Sequence, residues 1–346
     1  MSRADRFLRA CHKQPVDCTP VWIMRQAGRY LPEYRAVRAK VGFLELCKTP
    51  ELAAQVTLQP VEILGVDAAI LFSDILVVPE AMGSELILED KGPEFPSPIR
   101  SAADVDKLHV CDPETELRYV MDALRLIRKE LAGKVPLIGF CGAPWTLAAY
   151  MIEGKTSRSF EKAKALLLGD EALAHRLLDK LTESLSLYLN AQLAAGAQCI
   201  QIFDSWAGAL GPEDYARLGA PYVKRLIASL KRDQDQPVIV FGVETGEVLQ
   251  QLEETGADVV GVDWRVPLDE ARRRVGPRPA LQGNLDPASL FLPPPILEGR
   301  VRRVLEQAKA AGPGHIFNLG HGILPGTPVE GAKAVVELVH RLTQAS

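Results

Sequence analysis

The chain alternates short apolar runs with longer stretches of helical periodicity. Eight runs read as strands, at residues 20–24, 68–72, 135–140, 198–203, 237–241, 258–262, 279–282 and 315–319. Most are apolar at every position, the pattern of parallel strands buried on both faces. Between them, helix-like stretches occupy residues 51–64, 163–195, 246–254, 268–274, 297–310 and 329–342. From residue 170 onward Leu173, Leu177, Leu178, Leu181 and Leu185 keep close to a 3.6-residue period, as a helix with one buried face requires. Pro60 predicts a kink in the first of these helices.

Eight strand–helix units in succession predict an α/β protein, a single-domain (β/α)8 TIM barrel spanning residues 1–346. A doubly wound open sheet would need a glycine fingerprint after the first strand. The sequence there is Met24-Arg25-Gln26-Ala27-Gly28-Arg29, which is not G-x-G-x-x-G. The long excursion after the second strand, residues 79–113, contains Leu86-Ile87-Leu88 and a proline-rich stretch from Gly92 to Pro98. It reads as an inserted hairpin or lid over the barrel mouth.

Charge sharpens this picture at one place. The whole chain carries a formal charge of −4, yet residues 25–40 hold five basic side chains and one acid. A local basic cluster in an acidic protein points to a small polyanionic ligand more than to a nucleic acid. It starts where the first strand ends, the catalytic end of a barrel. No apolar run approaches the length of a membrane span, and the N-terminal residues lead into no apolar signal core. The six cysteines are scattered without a C-x-x-C pair, which predicts reduced thiols in a cytoplasmic protein.

The polar residues at the C-terminal ends of the strands are expected to face one cavity. They are Arg25, Gln26 and Arg29 after the first strand, Ser73 and Asp74 after the second, and Gly139, Cys141, Gly142 and Pro144 around the end of the third. The fourth contributes Asp204 and Ser205, and the eighth Asn318, Gly320, His321 and Gly322. Arg25 follows an apolar strand directly, which favours a ligand over bulk water. Asp74 by itself fits a helix cap as well as a site. Beside two arginines it reads as the one carboxylate of an anion-binding site. Tyr150, on a helix after the third strand, has the neighbours of a packed tyrosine, and Ser205 fits a cap or a site equally. His321 lies between two glycines that give it no side-chain support and imply close backbone approach. The remaining histidines show no joint pattern. Zinc motifs, a phosphate loop and a G-x-S-x-G elbow are absent from the sequence.

These same residues carry a resemblance. Arg25-Gln26-Ala27-Gly28-Arg29-Tyr30-Leu31-Pro32-Glu33-Tyr34, preceded by Trp22-Ile23-Met24, resembles the N-terminal signature of the uroporphyrinogen decarboxylase family. Gly139-Phe140-Cys141-Gly142-Ala143-Pro144-Trp145-Thr146-Leu147, leading to Tyr150-Met151-Ile152-Glu153-Gly154, is similar to its second signature. Phe72-Ser73-Asp74-Ile75-Leu76, Phe203-Asp204-Ser205-Trp206, Leu281-Gln282-Gly283-Asn284-Leu285-Asp286 and Asn318-Leu319-Gly320-His321-Gly322 match in order. The resemblance implies a (β/α)8 barrel, usually a homodimer, that works without metal or organic cofactor. It implies removal of carboxyl groups from the four acetate side chains of uroporphyrinogen III, giving coproporphyrinogen III in haem and chlorophyll synthesis. No nucleic-acid or membrane partner is implied.

Carried over, the site comprises Arg25, Gln26, Arg29, Asp74, Tyr150, Ser205 and His321, with Phe203 lining the pocket. Asp74 would be the counter-charge to a protonated pyrrole, and Arg25 and Arg29 would hold carboxylates. The proton would come from Arg25 or from relayed solvent. Tyr150, Ser205 and His321 would bind carboxylates or orient their neighbours. One departure is Phe241-Gly242-Val243-Glu244-Thr245-Gly246, where many bacterial members carry a lysine before the second glycine. No catalytic role is assigned to that loop. Two other functions compete: a zinc-dependent corrinoid or thiol methyltransferase, which would want a cysteine near His321, and a non-catalytic tetrapyrrole carrier, which would not need Asp74.

Overall fold

The computed structural model describes residues 1–89 and 92–345. Among the described residues nine strands occur in chain order: β1 (Ala69–Ile70), β2 (Ile87–Glu89), β3 (Gly92–Glu94), β4 (Leu137–Gly142), β5 (Cys199–Asp204), β6 (Val238–Gly242), β7 (Val259–Gly261), β8 (Ala280–Gln282) and β9 (His315–Ile316). Seven form one parallel sheet in the order β1-β4-β5-β6-β7-β8-β9, and helices connect them on the outside.

The apolar runs divide by phase. Trp22, Met24, Ala68, Ile138, Cys199, Ile239, Phe241, Val259, Ala280 and Ile316 fill the inside of the curled sheet. Their neighbours Val21, Ile23, Ala69, Leu137, Ile200, Val238, Val240, Val260, Leu281 and Phe317 belong to the larger core between sheet and helices. The helix Arg3–Cys11 closes the N-terminal end of the interior with Phe7, Ala10 and Cys11. The interior also holds a polar chain. The Trp22 indole donates to Gln282 Oε1 at 2.8 Å, and the Gln282 amide donates to Gln201 Oε1 at 3.3 Å.

The first predicted strand, residues 20–24, is present as a closing segment between β9 and β1. Only Val21 makes a ladder bridge, to Phe317. The rest of its hydrogen bonding is divided between main chain and side chains. Trp22 N–H donates to the Phe317 carbonyl at 3.3 Å, and Asp67 N–H donates to the Val21 carbonyl at 2.7 Å. The Asp67 carboxylate accepts from Val21 N–H at 2.8 Å, Asn318 Oδ1 accepts from Met24 N–H at 2.9 Å, and Gln26 Oε1 accepts from Ile23 N–H at 3.1 Å. Side chains replace a continuous ladder because the segment must leave the sheet direction at Arg25, whose φ is +63°.

The helix expected over residues 163–195 is two helices, Glu161–Gly169 and Glu171–Ala194. Asp170 breaks the run with an extended backbone, and its carboxylate accepts from Leu173 N–H at 3.0 Å as an N-cap. Pro60 sits inside the helix Pro50–Leu64. The insertion does hold a hairpin: β2 and β3 pair antiparallel, with Leu88 opposite Pro93. The chain after it is braced on the helix Pro144–Glu153. Phe95 N–H donates to the Gly154 carbonyl at 2.7 Å and Ile99 N–H to the Met151 carbonyl at 3.0 Å. None of its described residues lines the cavity described below. All six cysteines are free and buried, and among the described residues no helix is long and apolar enough to cross a membrane.

Asp67, fully buried, also accepts from Arg6 Nη1 at 2.6 Å and lies 2.6 Å from His340 Nε2. It ties the first helix, the closing segment and the last helix, Val329–Thr343, to the foot of β1. Replacing one partner of such a buried pair typically costs about 3–5 kcal/mol. Asp67→Ala should therefore lose about that much stability in urea unfolding; a loss under about 1 kcal/mol would mean that the seam holds without it.

Candidate active site

A cavity of about 370 Å³ opens at the C-terminal ends of the strands. Arg25, Gln26 and Arg29 line it from the closing segment, Ser73 and Asp74 from the loop after β1, Phe203 and Ser205 from the end of β5, and His321 from the loop after β9. Seven of the eight carried-over residues thus meet at one cavity. Tyr150 is not among its lining residues, but it feels the charges of both Asp74 and Arg25.

Burial is the largest cause of the shifts at the site, and Arg25 acts on three of its groups. Its guanidinium opposes the rise in the Asp74 and Tyr150 pKa values and helps to lower that of His321. Its backbone is left-handed, which costs a non-glycine residue about 1–3 kcal/mol and so marks a position fixed by its surroundings. Gly322 makes room for it: a Cβ there would lie within 2.9 Å of Arg25 Cγ and Nε, with Cδ nearer still. Gly320 in turn packs against the Trp264 backbone too closely for any side chain. The glycines around His321 are thus sites of close approach.

Asp74 is both a cap and a cavity residue. Its Oδ1 accepts from Leu76 N–H at 2.9 Å, fixing the turn after β1. Burial pushes its pKa up, partly offset by that hydrogen bond and by Arg25. A carboxylate so desolvated gains more from a nearby cation than one in water. Burial likewise raises the Tyr150 phenol, whose ring packs edge-on against Trp206 with centroids 5.8 Å apart. His321 is half-buried and its pKa is lowered, first by desolvation and then by Arg25, so the imidazole is neutral near pH 7. Ser205 makes no hydrogen bond among the described residues, leaving its hydroxyl free for a ligand.

Gln26 is placed differently from its neighbours. It is buried, its amide donates to the Ala68 carbonyl at 3.0 Å, and its oxygen accepts from Ile23 N–H. Both ends of the amide therefore hold backbone. Asp204 and Asn318 do not line the cavity. The Asp204 carboxylate accepts from Thr146 Oγ1 at 2.7 Å and from the Tyr215 hydroxyl at 2.8 Å. Asn318 Oδ1 accepts from the Met24 and Leu319 amides.

Of the cavity floor, Phe203 alone was expected from the sequence, and Phe140 and Phe241 were missed. Phe140, Phe203 and Phe241 occupy the inner face at the ends of neighbouring strands, with centroids 5.7 Å and 6.4 Å apart in edge-on contacts. Phe140 is held through its backbone. Its amide donates to Gln192 Oε1 and its carbonyl accepts from Gln192 Nε2, both at 2.8 Å. Tyr34 and Phe43 add rings around Phe72, at 5.6 Å and 5.8 Å. The departing loop after β6 places Glu244 against Arg265 at 2.8 Å. Among the described residues, no group of three or more His, Cys, Asp or Glu side chains could hold a metal ion.

A parallel barrel with a cationic, aromatic-floored cavity at the C-terminal ends of its strands has the form of a barrel enzyme with its site at the catalytic end. The pattern of the family described as Uroporphyrinogen decarboxylase (URO-D) matches residues 2–342. A uroporphyrinogen decarboxylase of Myxococcus xanthus is 59% identical over 97% of this chain and 96% of its own length. One from Geobacter metallireducens is 56% identical over 98% and 99%. The chain belongs to the uroporphyrinogen decarboxylase family. A methyltransferase from Methanosarcina mazei shares the fold, with a TM-score of 0.82 over 99% of both chains at 23% identity.

Burial moves the Asp204 carboxyl from 3.8 up to about 6, against its two hydrogen bonds. The folded chain then binds this proton more tightly than the unfolded one, so stability is lost as pH rises between those values. Asp204→Asn should remove this slope, gaining up to about 3 kcal/mol relative to the parent between pH 3 and pH 7. Parallel stability curves for the two proteins would contradict it.

Proposed function

We propose that the chain is a carboxy-lyase that decarboxylates the four acetate side chains of uroporphyrinogen III to methyl groups. The products are coproporphyrinogen III and four CO2, in tetrapyrrole synthesis. Residues 1–346 act as one catalytic domain, in the cytoplasm and as a homodimer, without metal or organic cofactor. The observation that carries the mechanism is a desolvated carboxylate, Asp74, in the field of Arg25 inside one cavity.

Losing CO2 from an arylacetate needs an electron sink, and the pyrrole supplies its own. Protonation of a ring carbon gives an iminium-like cation. The bond between the acetate methylene and its carboxylate breaks, and its electron pair neutralises that cation as CO2 leaves. The exocyclic methylene then takes a proton and the ring carbon releases one, so each acetate consumes one proton net. Asp74 accepts the pyrrole N–H groups and stabilises the cation. Its raised pKa means that the arriving positive charge restores an interaction that burial has withheld. One such preorganised partner is worth about 3–4 kcal/mol in the transition state.

Arg25 and Arg29 bind the substrate's carboxylates through charge-assisted, two-pronged hydrogen bonds. A guanidinium is a weak acid, so the proton reaches the ring from Arg25 or, equally, from relayed solvent. Neutral His321, Ser205 and Tyr150 donate to further carboxylates, and Phe203 with its flanking rings supports the macrocycle's apolar face. Gln26 serves by holding the turn that carries both arginines.

Anaerobic incubation with uroporphyrinogen III should give seven-, six-, five- and four-carboxylate products in turn. Asp74→Asn should stay folded and lose about 10²–10³-fold in kcat; near-normal turnover would rule out the counter-charge role. Arg29→Ala should raise KM about tenfold or more with a smaller change in kcat, since a charge-assisted hydrogen bond contributes about 1.5–3 kcal/mol. A loss confined to kcat would argue against positioning.

A further inference from the structure

A second concavity, of about 230 Å³, lies at the same end of the barrel. Its walls are the loop after β7, the loop after β8 and the helix Pro294–Ala311. Arg265, Arg300 and Arg303 line it, against one acid, Asp286. Most arginines of this chain are tied to carboxylates or carbonyls. Those whose side chains make no ion pair or hydrogen bond among the described residues include Arg25 and Arg29 in the first cavity and Arg300 and Arg303 in this one. Two unpaired cations three residues apart on one helix repel each other. Pairing is available on that helix, because Arg302 takes Glu298. The cavity has fixed polar features as well. Ser289 is only 4% exposed and lines it, and its hydroxyl makes no hydrogen bond among the described residues. Asn284 is locked into the wall by donating to the Asp263 and Val266 carbonyls at 2.7 Å and 2.6 Å. Gln307 adds an amide one turn beyond Arg303.

The wall nearest the first cavity is shared. Arg265 stacks on the Trp264 ring at 4.0 Å and pairs with Glu244 at 2.8 Å and Asp263 at 3.1 Å. Trp264 meets His321 edge-on, with centroids 6.2 Å apart and planes at 83°. Gly320 packs on the Trp264 backbone with no room between them. An anion that draws Arg265 from its carboxylates therefore disturbs the stack that borders His321.

We propose that this second concavity binds a compact multivalent anion bearing phosphate or carboxylate groups, and that its occupancy is felt at His321 through Arg265 and Trp264. A tetrapyrrole is too large for it, so the ligand is not the substrate of the first cavity. Three guanidiniums, a free hydroxyl and an amide suit an oxyanion's several acceptors. The site stands independently of the decarboxylation reading, because binding rather than turnover reads it out.

The test is titration of the full chain with pyrophosphate and, separately, with succinate, at constant ionic strength. Calorimetry follows binding, and proton NMR follows the His321 ring. Arg300→Ala/Arg303→Ala removes two exposed side chains from a helix, and alanine keeps that helix favourable. Arg29→Ala serves as the control for anions entering the first cavity. The expected result is saturable binding of at least one probe to the parent and to Arg29→Ala, weakened at least tenfold in Arg300→Ala/Arg303→Ala. Preference between the probes tells a phosphate ligand from a carboxylate one. The His321 resonance should shift in the first two proteins and stay still in the third. Equal affinity in all three, or no saturable binding of either probe to the parent, would overturn the site. Binding without movement of the His321 resonance would overturn the coupling.

Discussion

Barrel closure at the first strand is the constraint on which the rest depends. A curled parallel sheet has two free edges until one segment pairs with both, and here that segment is residues 20–24, between β9 and β1. It has too few main-chain bonds to do this alone, so Asp67, Asn318 and Gln26 complete the seam with side chains. Asp67 is the most heavily engaged of these, joined to Val21, Arg6 and His340. The cost of burying its charge is met only because all of these partners converge. The same arrangement releases the chain from the sheet at Arg25, where the turn needs a left-handed residue. The seam that closes the barrel thereby delivers its principal cation to the cavity.

From that position Arg25 modulates protonation across the site. Asp74, Tyr150 and His321 come from three other parts of the chain; each is shifted first by burial, and this one guanidinium is a lesser cause common to all three. Burial alone would favour a protonated Asp74 and a neutral His321. Arg25 opposes the first and reinforces the second, leaving a carboxylate responsive to added positive charge beside an uncharged imidazole. The aromatic floor makes this possible by excluding water from one side. The phenylalanines of β4, β5 and β6 end on the inner face at one level, so the apolar surface is continuous beneath the polar rim.

The charge arrangement also explains how an acidic chain can carry cationic sites. Most of its arginines are tied to carboxylates or carbonyls, as in Arg125 with Glu114 and Arg278 with Glu253. Exposed pairs of this kind contribute little to stability, but they leave the unpaired arginines as the sources of local field. Two of those lie at the first cavity and two at the second. Net charge says nothing of this; the pairing pattern does.

The sequence by itself determined the barrel, the order of its strands and most of the polar residues at the cavity. These are local signals: an apolar run marks a strand, and the polar residues directly after it must emerge at that strand's C-terminal end. Arg25, Arg29, Asp74, Ser205 and His321 are all of this kind. What only the tertiary structure decided is which residues of a wholly apolar run face inward, because a strand buried on both faces has no alternation to read. The inward placement of Phe140 and Phe241 and the outward turn of Asp204 were hidden for that reason. Contacts between distant segments were hidden for another. Asp67 with His340, Gly322 with Arg25 and Arg265 with Trp264 beside His321 depend on how the loops converge once the sheet has closed. Spacing along the chain carries no trace of that convergence.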